Sequence, residues 1–345
     1  MGLQSPPGGI CDARPVRHAI RSVSRARQGS CSIGVVILRC EEIERPATGD
    51  DEVLIKVRAA SVNPIDWHFM RGTPYFLRVQ LGLRKPKATR LGIDVAGQVE
   101  AAGTNVTQLK PGDEVFGSSR GAFAEYVCAR ASSLAMKPNN VTFEQAASVP
   151  VAGFTALQGL RDKGHLQPGQ KVLINGASGG VGTFAVQIAK SFGADVTGVC
   201  STRNADMVRS IGADHVIDYT KEDFTKSDGR YDIILDNIGN HRFFECRRVL
   251  NPKGTHVGVG GATGNWMIGA LAGLARTLIV SRFVSQNFVV FIGKGSKEDM
   301  AILGELMAAS KVTPIIDRRY TLSETSEAIR YLEQGHARGK VVITL

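Results

Sequence analysis

The chain predicts an α/β fold in which a doubly wound parallel sheet is joined to an irregular β domain. Three observations predict it. Before Pro150 the apolar runs are short and punctuated by Gly and Pro, with no long helical period. After Pro150, apolar strands alternate with helical stretches, the pattern of a parallel sheet covered on both faces. In that second half, KVLINGASGGVGTFAVQIAK (171–190) runs from an apolar strand through a glycine cluster into an amphipathic helix.

The elements follow in order. VLIKVRAASVN (53–63) reads as a strand entering a loop, and GIDVAGQVEAAG (92–103) as a strand ending at glycine. KPGDEVFG (110–117) is a turn with a short strand, and AFAEYVCA (122–129) is another strand. FTALQGLRDKG (154–164) has helical periodicity. KVLIN (171–175) is a strand, TFAVQIAKSFG (183–193) a helix ended by Gly193, and DVTGVC (195–200) a strand. ADMVRSIG (205–212) is a short helix, HVIDY (215–219) and YDIILDN (231–237) are strands, FFECRRVLN (243–251) is a helix and THVGVGG (255–261) a strand. Residues 266–292 are apolar but interrupted by Arg276 and Arg282. They fall short of the ~20 uncharged residues that span a bilayer, so buried or interface helices are expected. The end carries an N-cap-like Ser323, a helix to about Glu333 and a final strand. The domain reading is a poorly ordered extension (1–31), a β domain (32–152), a dinucleotide domain (153–292) and a return to the β domain (293–345).

Formal net charge is +10 over 345 residues. Residues 1–30 hold five Arg (14, 17, 21, 25, 27) against Asp12, which is +4 of that excess, and the rest is spread without a like-charge block. A solvated surface plus a phosphate site explains this better than a nucleic-acid or membrane surface. The six Cys (11, 31, 40, 128, 200, 246) form no CxxC pair, and no HExxH occurs. A reducing, cytoplasmic compartment is expected. The Arg- and Ser-rich start loosely resembles a mitochondrial transit peptide, which makes the mitochondrion the alternative.

Read from Ala177, the glycine cluster is A-x-G-x-x-G, a variant of the Rossmann dinucleotide fingerprint. Ala177 occupies the tight turn, with Ser178 next to it. Gly179 lets the backbone approach a pyrophosphate, and Gly182 lets the helix pack closely on the strand. Gly180 and Val181 open the helix, whose N-terminus offers free N–H groups to phosphate. From Lys171 to Cys200 is 30 residues, the size of one βαβ unit, which is the context that makes the motif specific. The second strand ends Val199-Cys200-Ser201-Thr202-Arg203, with no acid for a ribose 2′-hydroxyl. Ser201 and Arg203 suit a 2′-phosphate, so NADPH is expected over NADH. Tyr219, ending the third strand, is a candidate to pack beside the adenine ribose, with a half-buried strand-end position as the alternative.

Together these motifs resemble the medium-chain dehydrogenase/reductase superfamily, in its zinc-free quinone oxidoreductase (zeta-crystallin-like) branch. The resemblance rests on ASVNPIDW (60–67), GIDVAGQVEAAG (92–103), KPGDEVFG (110–117), AFAEY (122–126), GFTALQGL (153–160), NGASGGVG (175–182), GADHVIDY (212–219) and GHARGKVVITL (335–345). It implies a GroES-like catalytic domain, a Rossmann domain, NADPH as cofactor and a homodimer. It also tells against a metal. Zinc enzymes of this superfamily carry Cys where this chain has Asn63 and a His-Glu pair where it has Ile93-Asp94, and their four-Cys lobe is absent. Residues 1–35 and the basic segment 72–90 depart from the family pattern.

By the resemblance, Asn63 lies near nicotinamide and substrate, with a turn residue before Pro64 as its alternative role, and Asp66 organises its loop. Thr155 would face the nicotinamide from a helix start, with helix capping as its alternative role. Gly258, Gly260 and Gly261 follow the fifth parallel strand, where backbone approaches the nicotinamide. Lys340 is a candidate cofactor contact, with a surface position as the alternative. Tyr75 and His68 are candidate proton donors, solvent being the other source. Trp67, Phe69 and Phe76 are candidate walls of an apolar pocket, with plain core as the alternative. The expected activity is hydride transfer from NADPH to a quinone or an α,β-unsaturated carbonyl. A metal-free alcohol or aldehyde oxidoreductase and a non-catalytic NADPH-binding protein with nucleic-acid or membrane affinity are the alternatives. A short-chain dehydrogenase is disfavoured because no Tyr-x-x-x-Lys occurs.

Overall fold

The computed structural model describes residues 16–25, 35–71, 90–259 and 285–345. β1 (Val16–Arg25) and β2 (Val35–Ile43) form an antiparallel pair. β1 lies inside the stretch expected to be a poorly ordered extension. Its Ala19 and Ile20 are buried, and the Ile20 N–H donates to the Phe123 carbonyl at 2.9 Å. Arginine count weighed against this strand in the sequence; burial of two adjacent apolar residues anchors it.

The β domain is built from β3 (Glu52–Val62), β4 (Asp94–Ala102), β5 (Glu114–Ser118), β6 (Tyr126–Arg130) and β7 (Leu134–Met136), all paired antiparallel. A short helix, Pro64–Arg71, follows β3. The chain then leaves this domain through helices Phe143–Ala147 and Pro150–Gln158. The first is fixed by a capping box between Thr142 and Gln145, and the second starts with Pro in its first turn, where no N–H is needed.

The parallel sheet comprises β8 (Lys171–Asn175), β9 (Asp195–Cys200), β10 (His215–Asp218), β11 (Tyr231–Asp236), β12 (Leu250–Val259) and β13 (Asn287–Phe291). Its order is β10-β9-β8-β11-β12-β13, every pair parallel. This is the doubly wound order, with the switch point between β8 and β11. β13 falls in the 266–292 stretch expected to be helical. The β-branched and aromatic run NFVVF takes the free edge of β12 instead. Residues 260–284 lie outside the described ones. Finally β14 (Ile316–Thr321) and β15 (Lys340–Thr344) return to the β domain, where β15 pairs antiparallel with β3. Among the described residues, no helix is long and apolar enough to cross a membrane.

Among the described residues, two large apolar cores and a smaller one around Leu173 and Ile234 hold the arrangement. Of the large ones, the first runs from Phe116 through Leu157 and Phe184 into the parallel sheet, and the other fills the β domain around Ile55, Phe123 and Ile343. The first core presses helix Gly180–Ser191 against the end of β8. At their contact a Cβ on Gly182 would stand 2.1 Å from the Gly176 carbonyl oxygen and 2.8 Å from Ala177 Cα. Gly182→Ala therefore has to push the helix off the strand, and we expect a loss of about 1–3 kcal/mol, read from the urea midpoint. An unchanged midpoint would show that the turn relaxes without strain.

Candidate active site

The dinucleotide turn has the geometry that its spacing requires. Gly176 ends β8 at φ +80°, a conformation that favours glycine. Ala177 is fully buried, as the tight turn needs. Gly179 precedes the helix, and a Cβ there would meet nothing closer than 3.5 Å, so its backbone faces open space. The helix that begins at Gly180 and Val181 then points its first N–H groups at that space. The Ser178 carbonyl accepts from the Gly339 N–H at 2.9 Å, which docks the segment before β15 onto the turn.

The same segment carries Lys340, and this residue joins the turn to the β domain. A Cβ on Gly180 would lie 3.3 Å from Lys340 Cδ, so the lysine stem lies along the start of the helix. Its ammonium reaches Asn63 Oδ1 at 2.5 Å and stands 3.5 Å from Asp94 Oδ2. Lys340 is 3% exposed, which sets aside the surface position that the sequence left open. Asp94 is fully buried. Its Oδ2 accepts from Ser61 Oγ and Asn63 Nδ2, both at 2.8 Å, and its Oδ1 accepts from the Val151 N–H at 3.0 Å. Asp66, also buried, accepts from the Asn63 N–H at 2.8 Å and so holds the loop after β3. Burial pushes the Asp94 carboxyl up and the Lys340 ammonium down, and the attraction between them opposes both shifts. Burial, with help from the Asp94 charge, pushes Asp66 up to about 7 against the N–H groups of Asn63 and Gly92.

In this arrangement the Asn63 amide is fully engaged. Its nitrogen donates to Asp94 and, at 3.4 Å, to the Ser61 carbonyl, while its oxygen accepts from Lys340. Asn63 thus positions the loop rather than presenting a free amide.

At the other end of the turn, the carboxyl end of β9 gathers Ser201, Arg203 and a residue that the sequence reading missed, Asn204. Asn204 is buried, and its Nδ2 donates to Ser178 Oγ at 3.0 Å and to Ser201 Oγ at 3.2 Å, tying the turn to the strand end. Arg203 donates to the His336 carbonyl at 3.1 Å from an exposed position. Tyr219 is exposed at the end of β10. An acid also reaches this region, from the third strand rather than the second. Asp218 accepts from Thr202 Oγ1 at 2.5 Å and from the Thr220 N–H at 3.0 Å, and the Thr202 hydrogen bond holds it below the usual carboxylate range.

The remaining candidates are dispersed. Thr155 sits within helix Pro150–Gln158, not at its start, and its hydroxyl donates to the Val151 carbonyl at 2.6 Å, so it caps nothing. Gly258 lies near the end of β12, opposite Asp236. Trp67 packs on the β-domain core, and its ring lies 3.7 Å from that of His68. Nothing of the Phe69 side chain is described, and Tyr75, Phe76, Gly260 and Gly261 lie outside the described residues. Asp94 escaped the sequence reading as a site residue. Its one signal is a polar residue in an otherwise apolar strand, GIDVAG.

Comparison with known proteins matches this picture. A family model described as Alcohol dehydrogenase GroES-like domain matches residues 49–139, and one described as Zinc-binding dehydrogenase matches 211–343. The site does not fit the zinc that the second description implies. An amide at Asn63 and an alkyl group at Ile93 supply no ligand pair, and the oxygens of Asp94 are taken by Ser61, Asn63 and Val151. The chain is 36% identical over 329 residues to the mitochondrial NAD(P)H oxidoreductase RTN4IP1 of Mus musculus, covering 86% of this chain and 82% of that one. It is 33% identical over 325 residues to the chloroplastic NADPH-dependent alkenal/one oxidoreductase of Arabidopsis thaliana, covering 90% and 76%. The solved quinone oxidoreductase of Coxiella burnetii superposes with a TM-score of 0.80 at 30% identity, covering 96% of this chain and all of that one. The two-domain fold, the dinucleotide turn and these relatives together establish that the chain belongs to the medium-chain dehydrogenase/reductase superfamily, among its quinone oxidoreductase-like members.

Proposed function

We propose that this chain is an NADPH-dependent reductase that transfers hydride to a quinone or an α,β-unsaturated carbonyl without a metal at the reacting centre. The observation that carries this reading is Lys340, whose stem lies on the dinucleotide turn and whose ammonium meets the Asn63–Asp94 set. A bound NADPH supplies the hydride. Gly179 and Gly180 leave room for the pyrophosphate at the helix N-terminus, and Asn63, locked by Asp94 and Lys340, fixes the loop beside the acceptor. With no ligand set for a Lewis acid at Asn63 and Ile93, the acceptor must delocalise the incoming charge itself. Conjugated carbonyls and quinones do so, and the product anion takes its proton from solvent. The printed names of the Arabidopsis and Coxiella relatives support the same substrate class.

The preference for NADPH rests on Arg203 and on the missing acid at the end of β9; the nearby Asp218 works against it. A homodimer fits the edge of β13, where Val290 and Ile292 are exposed. The cysteine pattern favours a reducing compartment, cytoplasmic or, as the name of the mouse relative suggests, mitochondrial.

The assay is loss of NADPH absorbance with 9,10-phenanthrenequinone and with an enone such as 1-octen-3-one, below the temperature of unfolding. Turnover unaffected by chelator is expected. Turnover abolished by chelator would place a metal in the reaction, and no turnover despite tight NADPH binding would reject the acceptor class.

Arg203→Ala is expected to weaken NADPH binding at least tenfold more than NADH binding, since one charge-assisted pair to phosphate is worth more than about 1.4 kcal/mol. Equal weakening of both, by fluorescence titration, would remove Arg203 from the phosphate site.

Asp66 gives the fold a pH signature. Its carboxyl holds a proton more tightly folded, at about 7, than unfolded, at 3.8. The resulting stability is complete below the unfolded value and is lost as pH rises towards 7, by at most about 4 kcal/mol. Urea midpoints from pH 4 to 7 should fall more steeply for the wild type than for Asp66→Asn. Parallel profiles would mean that Asp66 is ionised throughout.

A further inference from the structure

Apart from the reductive site, two buried side chains and one half-buried one converge on the face of the parallel sheet covered by helix Phe243–Arg248. They are Asp236 at the end of β11, Cys246 in that helix and His256 in β12. Asp236 Oδ2 lies 3.4 Å from His256 Nε2, and one ligand atom from each of the three residues lies within 4.8 Å of the others. We propose that Asp236, Cys246 and His256 form a binding site for one zinc-class divalent ion, separate from the hydride-transfer site.

The donor set is the first argument. A carboxylate, a thiolate and an imidazole are a combination that zinc accepts in tetrahedral sites. Asp236 and the thiolate of Cys246 balance the two positive charges of the ion, so burying it leaves no net charge in the sheet. The thiol proton of Cys246 leaves to solvent as the metal–sulfur bond forms, and His256 turns to the tautomer that carries its proton on Nδ1.

The second argument is orientation. Asp236 Oδ1 is saturated by three donors: Asn175 Nδ2 at 2.8 Å, the Gly239 N–H at 2.8 Å and the Ile238 N–H at 3.1 Å. These fix the carboxylate and leave Oδ2 towards His256 and Cys246, as outer partners do for metal-binding carboxylates. The His256 ring is stacked on Phe288 at 5.4 Å. Cys246 is packed among Leu173, Val199 and Ile234. The Asp236–His256 separation already suits two ligands of one ion, and closing Cys246 onto it takes about 1 Å, from ordinary zinc–ligand lengths. The fourth position opens past His256, whose side chain is 15% exposed against 3% for Asp236. Even spacing along the chain at 236, 246 and 256 is not a known ligand pattern; the parallel register of β11 and β12 brings Asp236 and His256 together, and helix Phe243–Arg248 carries Cys246 to them.

The test is a Co²⁺ titration of the full chain after metal is stripped by chelator. The expected result is a thiolate-to-cobalt charge-transfer band that saturates at one equivalent, is displaced by Zn²⁺ and is absent in Cys246→Ser. Affinity in His256→Gln should fall at least tenfold. Far-UV circular dichroism and the urea midpoint report whether each variant is folded. If Cys246→Ser does not fold, protection of Cys246 from alkylation by Zn²⁺ in the wild type, mapped by mass spectrometry, replaces it. No band in the wild type, a band that survives Cys246→Ser, or alkylation of Cys246 unaffected by Zn²⁺ overturns the site. None of these readouts depends on turnover, so they stand apart from the proposed reductase activity.

Discussion

The Asp94 carboxylate is the point on which the relation between the two domains depends. It is fully buried, and its partners come from separate parts of the chain: Ser61 in β3, Asn63 in the following loop, the first turn of helix Pro150–Gln158 through Val151, and Lys340 in β15. A buried ion pair adds little net stability, because desolvation offsets most of the attraction. Removing one partner is different, since it strands the other and costs about 3–5 kcal/mol. The set therefore acts as a constraint. It permits one placement of the β3 loop against the helix that leads into the dinucleotide domain.

The return segment extends that constraint to the dinucleotide turn. Gly339 has φ +91°, and a Cβ there would stand 2.3 Å from the Ile315 carbonyl oxygen. Only glycine lets the chain come this close, and its N–H then meets the Ser178 carbonyl. The next residue is Lys340. One tight turn thus sets both the contact with Ser178 and the reach of the ammonium to Asn63. Displacing the turn would release Asn63 Oδ1 at the same time, so the geometry of the turn and that of the loop after β3 are not independent.

What the sequence could reveal follows from how local each feature is. The dinucleotide turn was legible because its glycines, strand and helix lie within one βαβ unit, and each glycine has a steric reason at its own position. Asn63 and Asp66 were legible through the family motif. Lys340 was found, but not its burial, because its partner lies 277 residues away. Asp94 was read only as the absence of a zinc ligand, since one acid in an apolar strand does not announce its donors. Asp218 is not legible as a neighbour of Thr202, because it lies on the third strand and only parallel pairing brings the ends of β9 and β10 together. β1 and β13 were misread for a related reason. Arginine count and apolar length are properties of composition, whereas a strand is decided by the edge available to pair with it.

The engagement of Asn63 bears on which acceptors the site can serve. An alcohol or simple aldehyde passes through an alkoxide-like oxygen that needs a strong local partner, ordinarily a metal ion or a free donor. Here the amide hydrogens of Asn63 are directed to Asp94 and Ser61, and the ammonium of Lys340 is directed to Asn63 and Asp94. Redirecting any of them to a substrate oxygen would leave a buried carboxylate or carbonyl short of a donor, at a cost of about 1–3 kcal/mol for a neutral group and more for a charged one. That cost falls on every acceptor, but unequally. A quinone or enone spreads the added electron pair over its conjugated system and asks little of the site, while an isolated carbonyl needs the full interaction. Under the proposed activity, the network that holds the two domains in register also disfavours unconjugated substrates.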